Sequence, residues 1–198
     1  GTLTLSGTSS YSGLTTVSSG KLVFQGSKTG VGSVTVADSA ALGVTTTGTQ
    51  VTPATLTLGS TAVGTALEFN NVTSTVTAPL APSTLSSAGT VTININSGTL
   101  VPGNSYPLLT WTTGSAPTVA LGVLNGFIGN LSFSGNTLLL NITATAFQWT
   151  GNTDGNWDLT TANNWFQNGG PSPDRMLHNL WNLSPYIPAF SIGQEALA

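Results

Sequence analysis

Trp149, Trp157 and Trp165 recur at eight-residue intervals among Asn, Asp and Gly. Large flat rings at a regular interval can stack on one another as local structure, which is the stronger reading here. Held open along one edge, the same rings would form a strip on which sugars lie. Asp154, Asn156 and Asp158, interleaved with them, offer oxygen at alternate positions, as a calcium loop does. No closing Glu follows to complete an EF-hand.

The remaining acids are Asp38, Glu68, Asp174 and Glu195, and His178 is the sole imidazole. Asp38 and Glu68 are thirty residues apart. In a coil of roughly 20–29 residues they would fall about one coil from each other. Two carboxylates on one face would suit glycoside hydrolysis, and two solvated turn acids would do no chemistry. His178 has no marked nucleophile or orienting acid around it in the sequence. No catalytic, cofactor-binding or metal-binding residue is assigned, no cofactor is expected, and the chain is read as a non-enzyme. Chemistry of another kind lies in the Thr-x-Thr pairs Thr2/Thr4, Thr55/Thr57 and Thr90/Thr92. A flat Thr array on stacked strands could order water and bind ice, but it needs a register that the uneven spacing of these pairs does not promise.

The elements that would position these groups are short strands. Gly1-Thr-Leu-Thr-Leu-Ser-Gly7, Gly20-Lys-Leu-Val-Phe-Gln-Gly26 and Gly89-Thr-Val-Thr-Ile-Asn-Ile95 alternate apolar with polar residues and are bounded by turn residues. Many similar short strands in series point to stacked coils. Only 5% of the 198 residues are charged, and the hydrophobic fraction is 39%. The outer faces must therefore be wetted by hydroxyls and amides rather than by ions. Thr fits this role because it is β-branched and carries a hydroxyl.

Three basic residues, Lys21, Lys28 and Arg175, cannot neutralise a phosphate backbone, so nucleic acid is excluded as a partner. No apolar run is long enough for a membrane helix, and no direct membrane insertion is expected. The absence of Cys excludes disulfides and thiolate metal sites. No charged and apolar leader opens the chain, so any export signal is expected upstream.

The run Gly1-Thr-Leu-Thr-Leu-Ser-Gly-Thr-Ser-Ser-Tyr11-Ser-Gly-Leu-Thr-Thr-Val17-Ser-Ser-Gly-Lys-Leu-Val-Phe resembles the autotransporter-associated β-strand repeat. Ser10 and Leu14 stand where Thr and Gly are usual. Gly98–Trp111 and Asn130–Asn141 look like the terminal coils of such passengers, and Trp149–Trp165 is similar to their linkers. The resemblance implies an all-β, right-handed parallel β-helix at the bacterial outer surface or beyond it. It brings no catalytic residue.

The expected organisation is a solenoid over 1–147 with capping coils from about residue 89. A Trp/Asn-rich linker over 148–166 follows, then an atypical tail over 167–198 with no assigned structure. Residues 79–88, with Pro79 and Pro82, are expected to be a loop, and Thr99–Val101 a strand. The expected function is a structural stalk or adhesin segment whose partners are further segments of a longer repeat protein, surface glycans or host matrix. The alternatives are a carbohydrate-binding or ice-binding module using the Trp strip (Trp149, Trp157, Trp165) or the Thr-rich face, and, last, a polysaccharide-active β-helix.

Overall fold

The computed structural model describes residues 1–45, 50–149, 165–167 and 170–171. The contacts divide the chain into two units, Gly1–Thr145 and Ala146–Ala198. Every regular element among the described residues is a strand.

The first unit is a parallel solenoid. Its first coil holds β1 (Thr2–Leu5) and β2 (Thr15–Val17), and its second β3 (Lys21–Phe24) and β4 (Val34–Val36). The next two hold β5 (Ala41–Thr45) with β6 (Thr55–Leu58), and β7 (Thr65–Asn70) with β8 (Thr84–Ser87). The chain continues through β9 (Thr90–Ile95), β10 (Ser105–Thr110), β11 (Thr113–Gly114) and β12 (Thr118–Leu124). One sheet runs β1-β3-β5-β7-β9-β12 and a second runs β11-β8-β6-β4-β2. A third face is a line of single parallel bridges through Ser9, Lys28, Val51, Leu80 and Leu109.

Register places like residues above one another. Leu3 pairs with Leu22, Leu22 with Leu42, Leu42 with Leu67 and Leu67 with Ile93. Leu5, Phe24, Val44, Phe69 and Ile95 form the neighbouring column. From the second coil on, the members of both columns are between 0% and 5% exposed. Alternation along each strand therefore becomes two apolar stacks running the length of the solenoid. The coils lengthen toward the C-terminus. Thr2 pairs with Lys21, 19 residues on, whereas Thr90 pairs with Thr118, 28 residues on. Most of the extra residues enter the corners, and the β9–β12 ladder takes up an irregularity between Leu121 and Leu124.

Two sequence expectations need correction. Residues 79–88 are not wholly loop, because β8 occupies Thr84–Ser87 and pairs in register with β6. The prolines precede the strand instead of interrupting it. Pro79 and Pro82 are buried at the corner, and Leu80 between them bridges Val51. Thr99–Val101 is not a strand. Only an isolated bridge, Val72 to Gly98, precedes it, and Pro102-Gly103 turns the chain at once.

At the C-terminal end the pairing changes direction. β13 (Phe127–Ser134) and β14 (Thr137–Thr145) form an antiparallel hairpin around Gly135-Asn136, and β14 also pairs antiparallel with β10. The β10 ladder is irregular between Pro107 and Leu109, the kind of site where a proline is tolerated within a sheet. Tyr106, Leu108, Leu138, Leu140 and Ile142 are buried in the same cluster as the solenoid core, so this sheet closes that end. In the second unit β15 (Phe147–Trp149), β16 (Trp165–Gln167) and β17 (Gly170–Pro171) form a small antiparallel sheet.

Stacking is tight at Gly64, whose φ is +81° and where an added Cβ would lie 2.1 Å from the Thr90 carbonyl oxygen. Gly103 has a similar φ of +89° but nothing within 4 Å. Gly103→Ala is expected to cost about 1–2 kcal/mol of backbone strain. Gly64→Ala should cost clearly more, because a backbone carbonyl must also move. Denaturant midpoints of the two variants measure the difference. A chain ending at Ala88 should aggregate more than the full chain by light scattering, because it lacks the closing sheet.

Candidate functional site

The two ends of the solenoid differ. At the N-terminal end Leu3 occupies the core column that holds Leu22 and Leu42, yet it is 61% exposed because no coil covers it. Leu5 is half-buried, and Leu14 and Tyr11 are exposed. Leu3, Leu5, Tyr11, Leu14, Val17 and Leu22 line an open concavity of 660 Å³. β1 and β2 are the terminal strands of their sheets, so each presents one unpaired row of backbone N–H and C=O groups. Chemically this end offers apolar side chains and two parallel strand edges, a surface suited to another strand pair.

Beneath that end lies a feature that sequence reasoning missed. Lys28 is fully buried. Its Nζ donates to the carbonyl oxygens of Gly30 at 2.6 Å and Tyr11 at 3.2 Å, and lies 4.5 Å from the Tyr11 ring centroid. The carbonyls and the ring face replace water around the cation. Burial nevertheless disfavours the charged form and lowers the amine's pKa from its ordinary value. In the sequence Lys28 reads as one more surface base. Its place on the third face, in line with Val51, Leu80 and Leu109, is set by the stacking and is not marked in the sequence.

Asp38 and Glu68 have separate sets of partners. Asp38 lies in the corner after β4. Its carboxylate accepts from the Ser60 hydroxyl at 2.9 Å and from the backbone N–H groups of Ser60 and Thr61 at 3.2 and 3.3 Å. The Ser60 hydroxyl, then the backbone donors, hold the carboxyl below its usual value against an opposing effect of partial desolvation. The arrangement ties one corner to the next. Glu68 lies on the outer face of β7, where its Oε2 accepts from Lys21 Nζ at 2.6 Å and from Asn96 Nδ2 at 3.2 Å. The ion pair spans β5, which places the small residues Ala41 and Gly43 between its partners. Asn96 also donates to Asn70 Oδ1, and Asn94 Oδ1 accepts from Val123 N–H. No cluster of three or more potential metal ligands occurs among the described residues.

Of the tryptophan strip, Trp149 and Trp165 are direct cross-strand partners in β15 and β16. Trp157 lies outside the described residues, as do Asp154, Asn156 and Asp158. The three predicted Thr-x-Thr pairs are not brought together. Thr2/Thr4 and Thr90/Thr92 lie at separated positions in the first sheet, and Thr55/Thr57 lies in the second.

The first coil and the start of the second also carry the comparison with known families. Residues 1–24 match the passenger-associated-transport-repeat. The matched repeat spans β1, β2 and β3, so it covers one full coil and the return to the first sheet. Its Gly20 has φ +71° and sits against the Gly1 carbonyl oxygen, where a Cβ would lie 2.4 Å away. The glycine that restarts the repeat is thus the one on which the next coil closes. No curated protein and no solved structure matches the chain.

Between the lowered pKa of Lys28 and the ordinary value of 10.5, the unfolded chain binds more protons than the folded one. Stability contributed through Lys28 should therefore rise as the pH is raised through that window. Lys28→Met should remove this rise, and the difference between the two chains isolates the group. Denaturant midpoints of both chains across the alkaline range measure it, and parallel curves would show that the amine is not hidden.

Proposed function

We propose that this chain is a non-catalytic segment of a passenger-type β-solenoid, secreted or held at the outer surface, where it serves as a stalk or adhesin and further coils of the same repeat stack on its open end. The observation that carries the reading is the parallel stack itself, in which like residues of successive coils stand in register. An antiparallel sheet packs against its C-terminal side, and the apolar column runs up to Leu3 on the other. The match of the first coil to the passenger-associated-transport-repeat supports the same reading. A non-catalytic role is supported by the different partners of Asp38 and Glu68, which each serve packing between coils.

The carbohydrate-binding alternative has one observation in its favour, the direct pairing of Trp149 with Trp165. A glycan array probed with the full chain and with Trp165→Ala tests it. Binding by the full chain that Trp165→Ala abolishes would support that role for the tryptophans, and a blank array would remove it.

The main reading is tested by placing a second copy of residues 1–19 directly before Gly1, a length set by the pairing of Thr2 with Lys21. Covering Leu3 alone should contribute on the order of 1–2 kcal/mol. The extended chain is expected to unfold in one cooperative transition at a higher denaturant concentration and to aggregate less. An added segment that remains protease-sensitive, with an unchanged midpoint, would reject the open end as a stacking surface.

A further inference from the structure

The second sheet carries an array of which the predicted pair Thr55/Thr57 is one row. Its inward positions are apolar, with Val34, Val36, Leu56, Leu58 and Leu85 all buried. Its outward positions are hydroxyls in register. Thr16 pairs with Thr35, Thr35 with Thr57 and Thr57 with Ser86. A second column runs through Thr55, Thr84 and Thr113. Thr55/Thr57 and Thr84/Ser86 are thus complete rows of a two-column mesh. No charged, amide or aromatic side chain interrupts these columns.

Most hydroxyls of the mesh are free of protein partners, whereas some elsewhere are not. Those of Thr52, Ser60, Ser74 and Ser97 are engaged with the protein. Within the mesh, Thr84 and Thr113 bond to each other at 2.9 Å. Thr16, Thr35, Thr55, Thr57 and Ser86 make no side-chain hydrogen bond among the described residues, and they are half-buried or exposed.

Strands in a sheet are spaced by about 4.8 Å, so like-oriented hydroxyls of the column Thr16, Thr35, Thr57 and Ser86 repeat at about that distance, whereas Thr84 and Thr113 have closed to a direct bond of 2.9 Å. In tetrahedrally bonded water, two oxygens that share a neighbour, each about 2.75 Å from it, lie about 4.5 Å apart. One water can therefore bridge successive hydroxyls of a column at nearly ordinary hydrogen-bond length to both. Thr is stiff at χ1, so holding its hydroxyl in place costs little side-chain entropy. A sugar site draws on aromatic faces and a few convergent polar groups of varied type, which these columns lack.

We propose that the outer face of the second sheet, built on Thr16, Thr35, Thr57, Ser86, Thr55 and Thr84, anchors an ordered water layer and through it binds the surface of ice. The assignment is independent of the stalk role, since it uses a side of the solenoid and not its end.

The test is partition of the full chain into slowly growing polycrystalline ice. The unaltered chain should be enriched in the ice fraction, Thr57→Tyr and Ser86→Lys should be excluded from it, and Thr92→Tyr, on the first sheet, should behave as the unaltered chain. Circular dichroism and denaturant midpoints report whether each variant is folded. Ser86 is exposed, so its variant remains informative if Thr57→Tyr does not fold. Exclusion of the unaltered chain from ice overturns the proposal, including the case in which it binds insoluble cellulose instead. Equal loss with Thr92→Tyr overturns the assignment to the second sheet.

Discussion

Hydrogen bonding from each coil to the next, in fixed parallel register, is the constraint on which the rest of the structure depends. Each strand of the solenoid takes its backbone partners from the coils before and after it, 19 to 29 residues away along the chain. Once that register is set, every side chain stands beside the corresponding residue of the neighbouring coil. A residue type that works inside one coil then works inside all of them, and the same holds outside. The core is a set of columns, and so is the surface. Corners must turn without disturbing the ladders, which is why glycines of positive φ recur there and why added residues collect in them.

That constraint also governs how a stack can stop. A parallel coil always leaves another edge, so stacking cannot end itself. Here the chain stops it by changing pairing direction. β13 and β14 fold back antiparallel on β10, and their buried leucines and Ile142 cover the last layer of the core. In the first coil the strands keep their register toward the second, and Leu3 holds the same column position as Leu22 and Leu42. The buried Lys28 one coil further in belongs to the same picture. A cation inside a column position is tolerated because two carbonyls and a tyrosine ring take the place of water.

Among the described residues charge serves packing between coils. Asp38 joins successive corners through Ser60 and Thr61, and Lys21 crosses a strand of small residues to reach Glu68. Both are long-range in sequence and short-range in the stack. The neutral faces are left to hydroxyls. On the second sheet those hydroxyls form columns, whereas on the first they give way to Lys21, Glu68 and the Asn side chains around it.

The sequence by itself determined that the chain is made of strands, which residues of each strand face inward, and that the strands belong to a stack of similar coils. These follow from alternation and turn chemistry, which act over a few residues and are written locally. Val34-Thr-Val36 and Thr55-Leu-Thr-Leu58 could be read in this way without knowing their neighbours. The tertiary structure alone decided which strands lie side by side. Coil length varies, so the offset between partners cannot be counted from the sequence. For that reason the sequence could group Thr2/Thr4 and Thr90/Thr92 with Thr55/Thr57 only by type, while Thr16, Thr35 and Ser86, which formed no visible pair, complete its array. Lys28 was illegible for the same reason. Burial of a lone charged side chain is fixed by what the next coil places against it, and that neighbour is set by register, not by adjacency in the chain.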